Sequence, residues 1–317
     1  MGCEAQMLHQ HEDNGLLPVL VPDGLGLDLG SPPDSLELIP YDLALPATDN
    51  QKRARAMVVA VPDVDSAASY MTTLPRLELV QALSAGYEQW VGRLPAGVKL
   101  ANVRFVHGIG VSEWVLAVLL SHFRELPDFA ASQSRGQWNW HATGTLVGKS
   151  VTILGAGDLA IRTRDLLALL HCDVTLVGRT ARDGVITMES FLPRASAADV
   201  IVIALPRTPA TTRVVDAEFL ARLRPGAVIV NAGRGALVDT EALMRAAQAG
   251  QICGILDVVD PEPLPEGHPL WTSRGITITP HIAGAVPDVW PRSWKRAVNN
   301  LQAFAAGRDP EDLTEES

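Results

Sequence analysis

The 317-residue chain has little cysteine, few aromatic side chains, no excess of positive charge and no long apolar run. Its three cysteines, Cys3, Cys172 and Cys253, are too few and too scattered for a disulfide framework or a zinc knuckle. They read as free thiols in a reducing compartment. The longest apolar runs, Trp114–Leu120 and Val200–Leu205, fall far short of the ~18 residues a membrane span needs. The start, Met1-Gly2-Cys3-Glu4, has no basic stretch leading into an apolar one, and Gln6 stands where a myristoylation signal takes Ser or Thr. The expected location is the cytoplasm, with no membrane contact. With 26 basic against 36 acidic side chains the net charge is -10, which argues against a nucleic-acid surface, so a small anionic ligand would have to be drawn into a local basic pocket. His9 and His11 in the polar first fifteen residues have no third ligand nearby, and no metal site is expected.

What remains is an ordinary globular composition, 47% apolar and 20% charged, long enough for two domains. Strand-like runs broken by Pro, Gly and Asp come first: Val19–Val21, Leu36–Ile39, Met57–Val61, Leu77–Leu83 and Val98–Val103. Gly24-x-Gly26-x-x-x-Gly30 has the wrong spacing for a phosphate loop and is followed by Pro32-Pro33, so it reads as a plain loop. A helix is expected over Gly110–Leu126, then an irregular polar arm from Pro127 to Leu146 that carries Trp138, Trp140 and His141. From Ser150 to Thr279 strands and helices alternate, and the strands are continuous Val/Ile/Leu runs of the kind buried on both faces of a parallel sheet. Asp216 and Asp239 precede two of the helices as N-caps, and Gly250 follows the second. A last helix over Pro287–Gly307 spaces Trp290, Trp294, Ala297 and Leu301 to cover a groove. The fold class is α/β with a doubly wound parallel sheet.

The chemistry concentrates in the second half. Ser150–Leu154 runs into Gly155-Ala156-Gly157-Asp158-Leu159-Ala160 and then a helix, the context in which such a turn binds a dinucleotide. Gly155 permits the tight turn, Gly157 lets backbone approach a pyrophosphate, and amides at Asp158 and Leu159 open the helix that holds the anion. The second strand should end in an acid if the cofactor is NAD; it ends in Gly178-Arg179-Thr180, with Arg182 close by. Guanidinium and hydroxyl suit a 2′-phosphate, so NADP is expected, with NAD as the alternative cofactor. Three further segments follow strands: Asn231–Gly235 with Arg234, Asp257–Pro263 with Glu262, and Thr279-Pro280-His281. An Arg, a Glu and a His at one sheet edge supply an anion clamp and an acid/base pair.

Together with Leu205-Pro206-x-Thr208-Pro209, His268-Pro269-Leu270 and Ser84-Ala85-Gly86, these motifs resemble the D-isomer-specific 2-hydroxyacid dehydrogenases, of the NADP-type glyoxylate or hydroxypyruvate reductase kind, from about Leu77 to Gly307. The resemblance implies a Rossmann cofactor domain, 97–287, inserted in a smaller flavodoxin-like α/β substrate domain, 1–96 with 288–317. It implies that Arg234 holds the 2-keto acid and that His281 is the general acid in reduction and the base in oxidation. Glu262 would hydrogen-bond His281 and orient it. The amides of Ala85 and Gly86 would take the substrate carboxylate, with Arg234 and His281 completing the substrate site. Toward the cofactor it places Leu205, Pro206, Thr211, Ala232, Gly233, His281 and Gly284 beside the Gly-rich turn, and Asp257 near the nicotinamide carboxamide. The implied activity is hydride transfer between the nicotinamide and a small 2-keto or 2-hydroxy acid, glyoxylate or hydroxypyruvate first, by a homodimer that packs the arm around Trp138 across a two-fold. The competing reading is a nucleotide-sensing binding protein of the same fold without turnover. Retention of Arg234, Glu262 and His281 together favours the enzyme.

Overall fold

A computed structural model describes residues 15–23, 33–60 and 63–314. His9, His11 and the Gly24–Gly30 loop lie outside the described residues. The chain divides into two compact units, residues 1–106 with 290–317, and residues 107–289.

In the first unit five strands, β1 (Leu17–Pro22), β2 (Leu36–Tyr41), β3 (Ala56–Val59), β4 (Leu79–Ala82) and β5 (Lys99–Ala101), form one parallel sheet in the order β2-β1-β3-β4-β5. This is the strand order of the flavodoxin-like folds. Every residue of β3 and β4 is buried, as expected of central strands covered on both faces. Helix α1 (Val64–Met71) starts where the Asp63 carboxylate accepts from the Ser66 amide, and it turns Ala67, Tyr70 and Met71 onto a core that includes Leu20, Met57 and Trp90. The unit runs past residue 96, where the sequence-based division falls, because β5 pairs in register with β4.

The second unit opens with α2 (Gly108–Phe123) and α3 (Leu126–Ser134). The arm expected to be irregular from Pro127 therefore begins as helix. Pro127 sits in the first turn of α3, where its missing N–H breaks no hydrogen bond. There follow β6 (Ser150–Leu154), α4 (Asp158–Leu169), β7 (Asp173–Gly178), β8 (Val185–Thr187), α5 (Met188–Phe191), β9 (Val200–Ile203), α6 (Ala217–Ala221), β10 (Ala227–Asn231), α7 (Thr240–Gln248), β11 (Ile252–Leu256) and β12 (Ile276–Ile278). β8 and α5 were missed in the sequence because three and four residues show no usable periodicity. The Asp216 and Asp239 carboxylates accept from the Phe219 and Ala242 amides, capping α6 and α7 as expected, and Gly250 takes the left-handed conformation beyond α7.

All seven strands of this unit are parallel, in the order β12-β11-β10-β9-β6-β7-β8. Alternate residues feed opposite layers. Val200, Val202, Val228 and Val230 pack with Val115, Leu119 and Leu167, while Ile201, Ile203 and Ile229 pack with Phe219, Leu220 and Leu243. The order reverses between β6 and β9, and the carboxyl ends of such neighbours are where doubly wound sheets take their ligands. The chain closes with α8 (Val289–Ala305), which belongs to the first unit from Trp290 onward. Trp294, Ala297 and Leu301 are buried as their spacing requires, whereas Trp290 is left 45% exposed and covers nothing fully.

Candidate active site

The turn after β6 is shaped by what glycine leaves out. Gly155 has φ +132, and a Cβ there would lie 2.5 Å from the Ala204 carbonyl oxygen, so no other residue fits without moving β9. Its amide donates to Val177 O at 2.8 Å, which fixes the turn between β6 and β7. Gly157 is the N-cap of α4 and offers no side-chain acceptor, and a Cβ there would meet nothing within 4 Å. The first-turn amides at Asp158 and Leu159 are thus uncapped beside open space, the arrangement a pyrophosphate uses. The Asp158 carboxylate accepts from Arg162 Nε at 2.8 and 2.9 Å, so its charge is paired within α4.

At the end of β7 a Cβ on Gly178 would lie 2.8 Å from Val185 Cγ1. Arg179 and Thr180 are exposed, and Arg179 has no hydrogen bond or ion pair among the described residues. Arg182 differs: its Nη2 donates to Ala156 O at 3.0 Å, tying the β7–β8 turn to the Gly-rich turn. Of the basic pair read from the sequence, Arg179 is the one free to meet a phosphate. In the loop after β9, Leu205 is half-buried and Pro206 exposed. The Thr211 hydroxyl donates to Pro206 O at 2.7 Å and accepts from the Thr208 amide at 2.8 Å, so it folds that loop on itself.

Three loops meet where β10, β11 and β12 end side by side. After β10, buried Asn231 accepts from Gly233 N at 3.1 Å and donates to Arg234 O at 2.9 Å, a turn that carries half-buried Ala232 and Arg234. Arg234 Nη1 donates to Gly233 O at 2.8 Å. A Cβ on Gly233 would come within 2.9 Å of Leu205 O, and one on Gly235 within 1.8 Å of Val259 O, so both glycines allow neighbouring loops to touch. After β11, Asp257 is 3% exposed, and its oxygens accept from Thr279 Oγ1 (2.6 Å), Ile282 N (2.9 Å) and Ala283 N (2.9 Å). Its own carbonyl accepts from His281 N at 2.8 Å.

His281 sits at φ +54, a conformation that costs a non-glycine residue about 1 kcal/mol or more, and the Asp257 anchor holds it there. The family resemblance implies a place for Asp257 near the nicotinamide; its role in shaping the histidine loop was missed, because the partners are mostly backbone amides with no signature of their own. The His281 ring donates from Nδ1 to Glu262 Oε1, and the side chain is 53% exposed. With Nδ1 engaged, Nε2 is the nitrogen that can exchange a proton with a substrate. Gly284 lies under His107, whose Cδ2 would be 3.3 Å from a Cβ. The structure therefore brings Arg234, Asp257, Glu262 and His281 to one edge of the second sheet. Ala85 and Gly86 lie in the first unit, on the loop after β4. Among the described residues no cluster of His, Cys, Asp and Glu could hold a metal, and no helix is long and apolar enough to cross a membrane.

Comparison with known proteins places the chain in a family. Residues 116–283 match the family model for the NAD binding domain of D-isomer specific 2-hydroxyacid dehydrogenases. A glyoxylate/hydroxypyruvate reductase A from Yersinia enterocolitica is 33% identical over 257 residues, 76% of this chain and 81% of that protein. A D-isomer specific 2-hydroxyacid dehydrogenase from Xanthobacter autotrophicus Py2, solved in complex with NADPH and MES, superposes with a TM-score of 0.79 at 26% identity, covering 94% of this chain and 98% of that one. An NADPH-dependent glyoxylate/hydroxypyruvate reductase from Sinorhizobium meliloti, in complex with NADP and malonate, gives 0.75 at 25% identity, covering 94% and 97%. A matched Rossmann domain, a relative similar over most of its length and an Arg–Glu–His set at the predicted sheet edge lead to one conclusion: the chain belongs to the D-isomer specific 2-hydroxyacid dehydrogenases.

Proposed function

We propose that the protein reduces a small 2-keto acid to its D-2-hydroxy acid with NADPH, glyoxylate and hydroxypyruvate being the first substrates to test. The observation that carries the reading is the His281–Glu262 pair, which joins the loops after β11 and β12 at the sheet edge that also carries Arg234, in a unit whose β7 ends in Gly178 and in Arg179, unpaired among the described residues, where an NAD enzyme would carry an acid. The similar proteins from Xanthobacter and Sinorhizobium were crystallised with NADPH and NADP, which supports the cofactor choice.

The cofactor, when bound, supplies a hydride. The Gly155–Leu159 turn would receive the pyrophosphate, Arg179 and Thr180 the 2′-phosphate, and Leu205, Pro206, Ala232, Gly233 and Gly284 the flanks of the nucleotide. Arg234 would grip the keto acid through its carboxylate and carbonyl oxygens and stabilise the charge that develops on the latter. His281 Nε2 would deliver the proton to that oxygen, while Glu262 fixes the tautomer by accepting from Nδ1. In the first unit, the Ala85 and Gly86 amides would offer donors suited to a carboxylate. In the same reading the enzyme works in a cytoplasm, where thiols such as Cys172 and Cys253 stay reduced. It works as a homodimer whose contact uses the arm where Trp138 and Trp140 are 94% and 83% exposed.

The test follows absorbance at 340 nm with NADPH and with NADH across glyoxylate, hydroxypyruvate, pyruvate and phenylpyruvate. Turnover with NADPH is expected to fall at least a hundredfold, by order of magnitude, in His281→Ala. Arg179→Ala is expected to weaken NADPH binding roughly tenfold and leave NADH unchanged. Equal use of both nucleotides by the parent protein would overturn the cofactor assignment, and NADPH binding without turnover of any acid would favour a sensor.

A further inference from the structure

In the loop after β4, the carbonyls of Ser84, Ala85 and Gly86 are all held. Ser84 O accepts from Val103 N at 3.2 Å, Ala85 O from Asn102 Nδ2 at 2.7 Å, and Gly86 O from Ser84 Oγ at 2.7 Å. In a trans peptide the carbonyl and the following N–H point in opposite directions. Pinning Ala85 O therefore turns Gly86 N–H the other way. Neither the Ala85 nor the Gly86 amide donates a hydrogen bond among the described residues, and Ala85 is exposed.

Asn102, which makes the central contact, is itself gripped. It is 4% exposed, its amide donates to Asp312 O at 3.1 Å, and its carbonyl accepts from Gln81 Nε2 at 3.0 Å and Asn300 Nδ2 at 3.1 Å. Asn300 Nδ2 also reaches Gln81 Oε1 at 3.0 Å and Asp312 Oδ2 at 3.2 Å, and Arg296 holds both Asp312 oxygens at 2.6 and 2.8 Å. Yet Asn102 Oδ1 is buried with no partner among the described residues. One hydrogen bond made and one buried acceptor unmet roughly cancel, so stability does not account for an asparagine here.

We propose that Asn102 is a positioning residue: it sets the Ala85–Gly86 peptide so that Gly86 N–H turns away from Asn102 and is offered as a donor for a substrate carboxylate, and α8 and the C-terminal tail, through Asn300 and Asp312, hold Asn102 in place. The proposal rests on the reductase reading for the identity of the ligand. The orientation of the peptide stands apart from it.

The experiment compares Asn102→Ala with Tyr41→Phe, which removes another buried hydrogen bond of the same unit (Tyr41 Oη to Val58 O, 2.9 Å) remote in sequence from the loop. In Asn102→Ala the KM for the keto acid is expected to rise roughly tenfold with kcat and the Kd for NADPH nearly unchanged, and Asn102→Asp, which sets a carboxylate oxygen against Ala85 O, should raise KM further. Tyr41→Phe should lower the melting temperature and leave KM alone. A second readout needs no turnover: with 13C-carbonyl alanine and 15N-glycine labelling, the Ala85–Gly86 peak, identified by its loss in Gly86→Ala, should shift in Asn102→Ala and stay in place in Tyr41→Phe. An unshifted peak, or a KM that is unchanged in Asn102→Ala, overturns the proposal. Absence of keto-acid turnover in the parent protein would instead overturn the reductase reading, and the peak would then decide the positioning role by itself.

Discussion

Both units are wholly parallel α/β sheets, yet they use buried polar groups differently. In the second unit Asn231 and Asp257 lie at strand ends and bond to loops close by in the chain, the farthest being Ala283, 26 residues from Asp257. In the first unit Gln81 bonds Asn300 across 219 residues, and both side chains are at most 1% exposed. Short-range bonds of the first kind fix individual loops at the end of the sheet. Long-range bonds of the second kind close a discontinuous domain, holding its last helix and tail to a sheet whose strands were all laid down earlier in the chain. A chain that leaves one domain, builds another and returns must recognise its starting point, and a polar network in an apolar interior does so with directional specificity that apolar contacts lack.

The contrast can be broken at several points. The largest effect is expected from Gly235→Ala: a Cβ 1.8 Å from Val259 O must push the loop that carries Glu262, at a cost of about 3 kcal/mol, with most activity lost. Calorimetry and the 340 nm assay read both, and an unchanged melting temperature would show that the second unit's loops are not locked by backbone contact. Next is Asp312→Ala in the first unit. It removes one of three acceptors from Asn300 Nδ2 and takes from Arg296 its buried partner, but Gln81 and Asn102 still hold Asn300, Glu311 remains at 3.0 Å and the guanidinium is partly solvated, so about 2 kcal/mol is expected. The loss should appear as detachment of α8, seen as faster amide exchange over 290–305; exchange that rises first over β6–β12 would mean that the network does not close the first unit.

The smallest effect concerns pH. Burial in α2 pushes the His122 imidazole below its ordinary value, against a weaker opposing influence from Glu125. The folded state thus holds the neutral ring while the unfolded chain takes up a proton near pH 6.5. The resulting stability is present above that pH and is lost as pH falls through the interval toward the lowered value. His122→Gln should flatten the decline in melting temperature between pH 7 and 5, by less than about 1 kcal/mol in total. An identical decline in the variant would assign the acid sensitivity to other groups.

The second unit was the more legible of the two because its candidate site groups sit in contiguous motifs. The Gly155–Ala160 turn, the Arg234 and Glu262 loops and His281 each follow a strand that reads clearly as a buried Val/Ile/Leu run, and the caps at Asp216 and Asp239 fell where their spacing put them. What escaped was short or had its partner outside its own motif. Strand β8 is only three residues long. The part Asp257 plays in holding His281 at positive φ depends on amides 25 and 26 residues away. Arg182 looked like a partner of Arg179 and instead binds the Ala156 carbonyl.

The sequence by itself determined the parallel sheet of the second unit, the α/β character of the first, the Gly-rich turn, the absence of an acid after β7 and the Arg, Glu and His proposed for the chemistry, because periodicity, glycine and capping act within a few residues along the chain. Only the tertiary structure decided that Asn102 faces Ala85, that Asp312 and Asn300 complete the first unit, and that Glu262 meets His281 at Nδ1. Those choices depend on which distant carbonyls, carboxylates and amides are left without water once the two cores have closed, and a buried polar group takes whichever partner the packed backbone brings within hydrogen-bond reach.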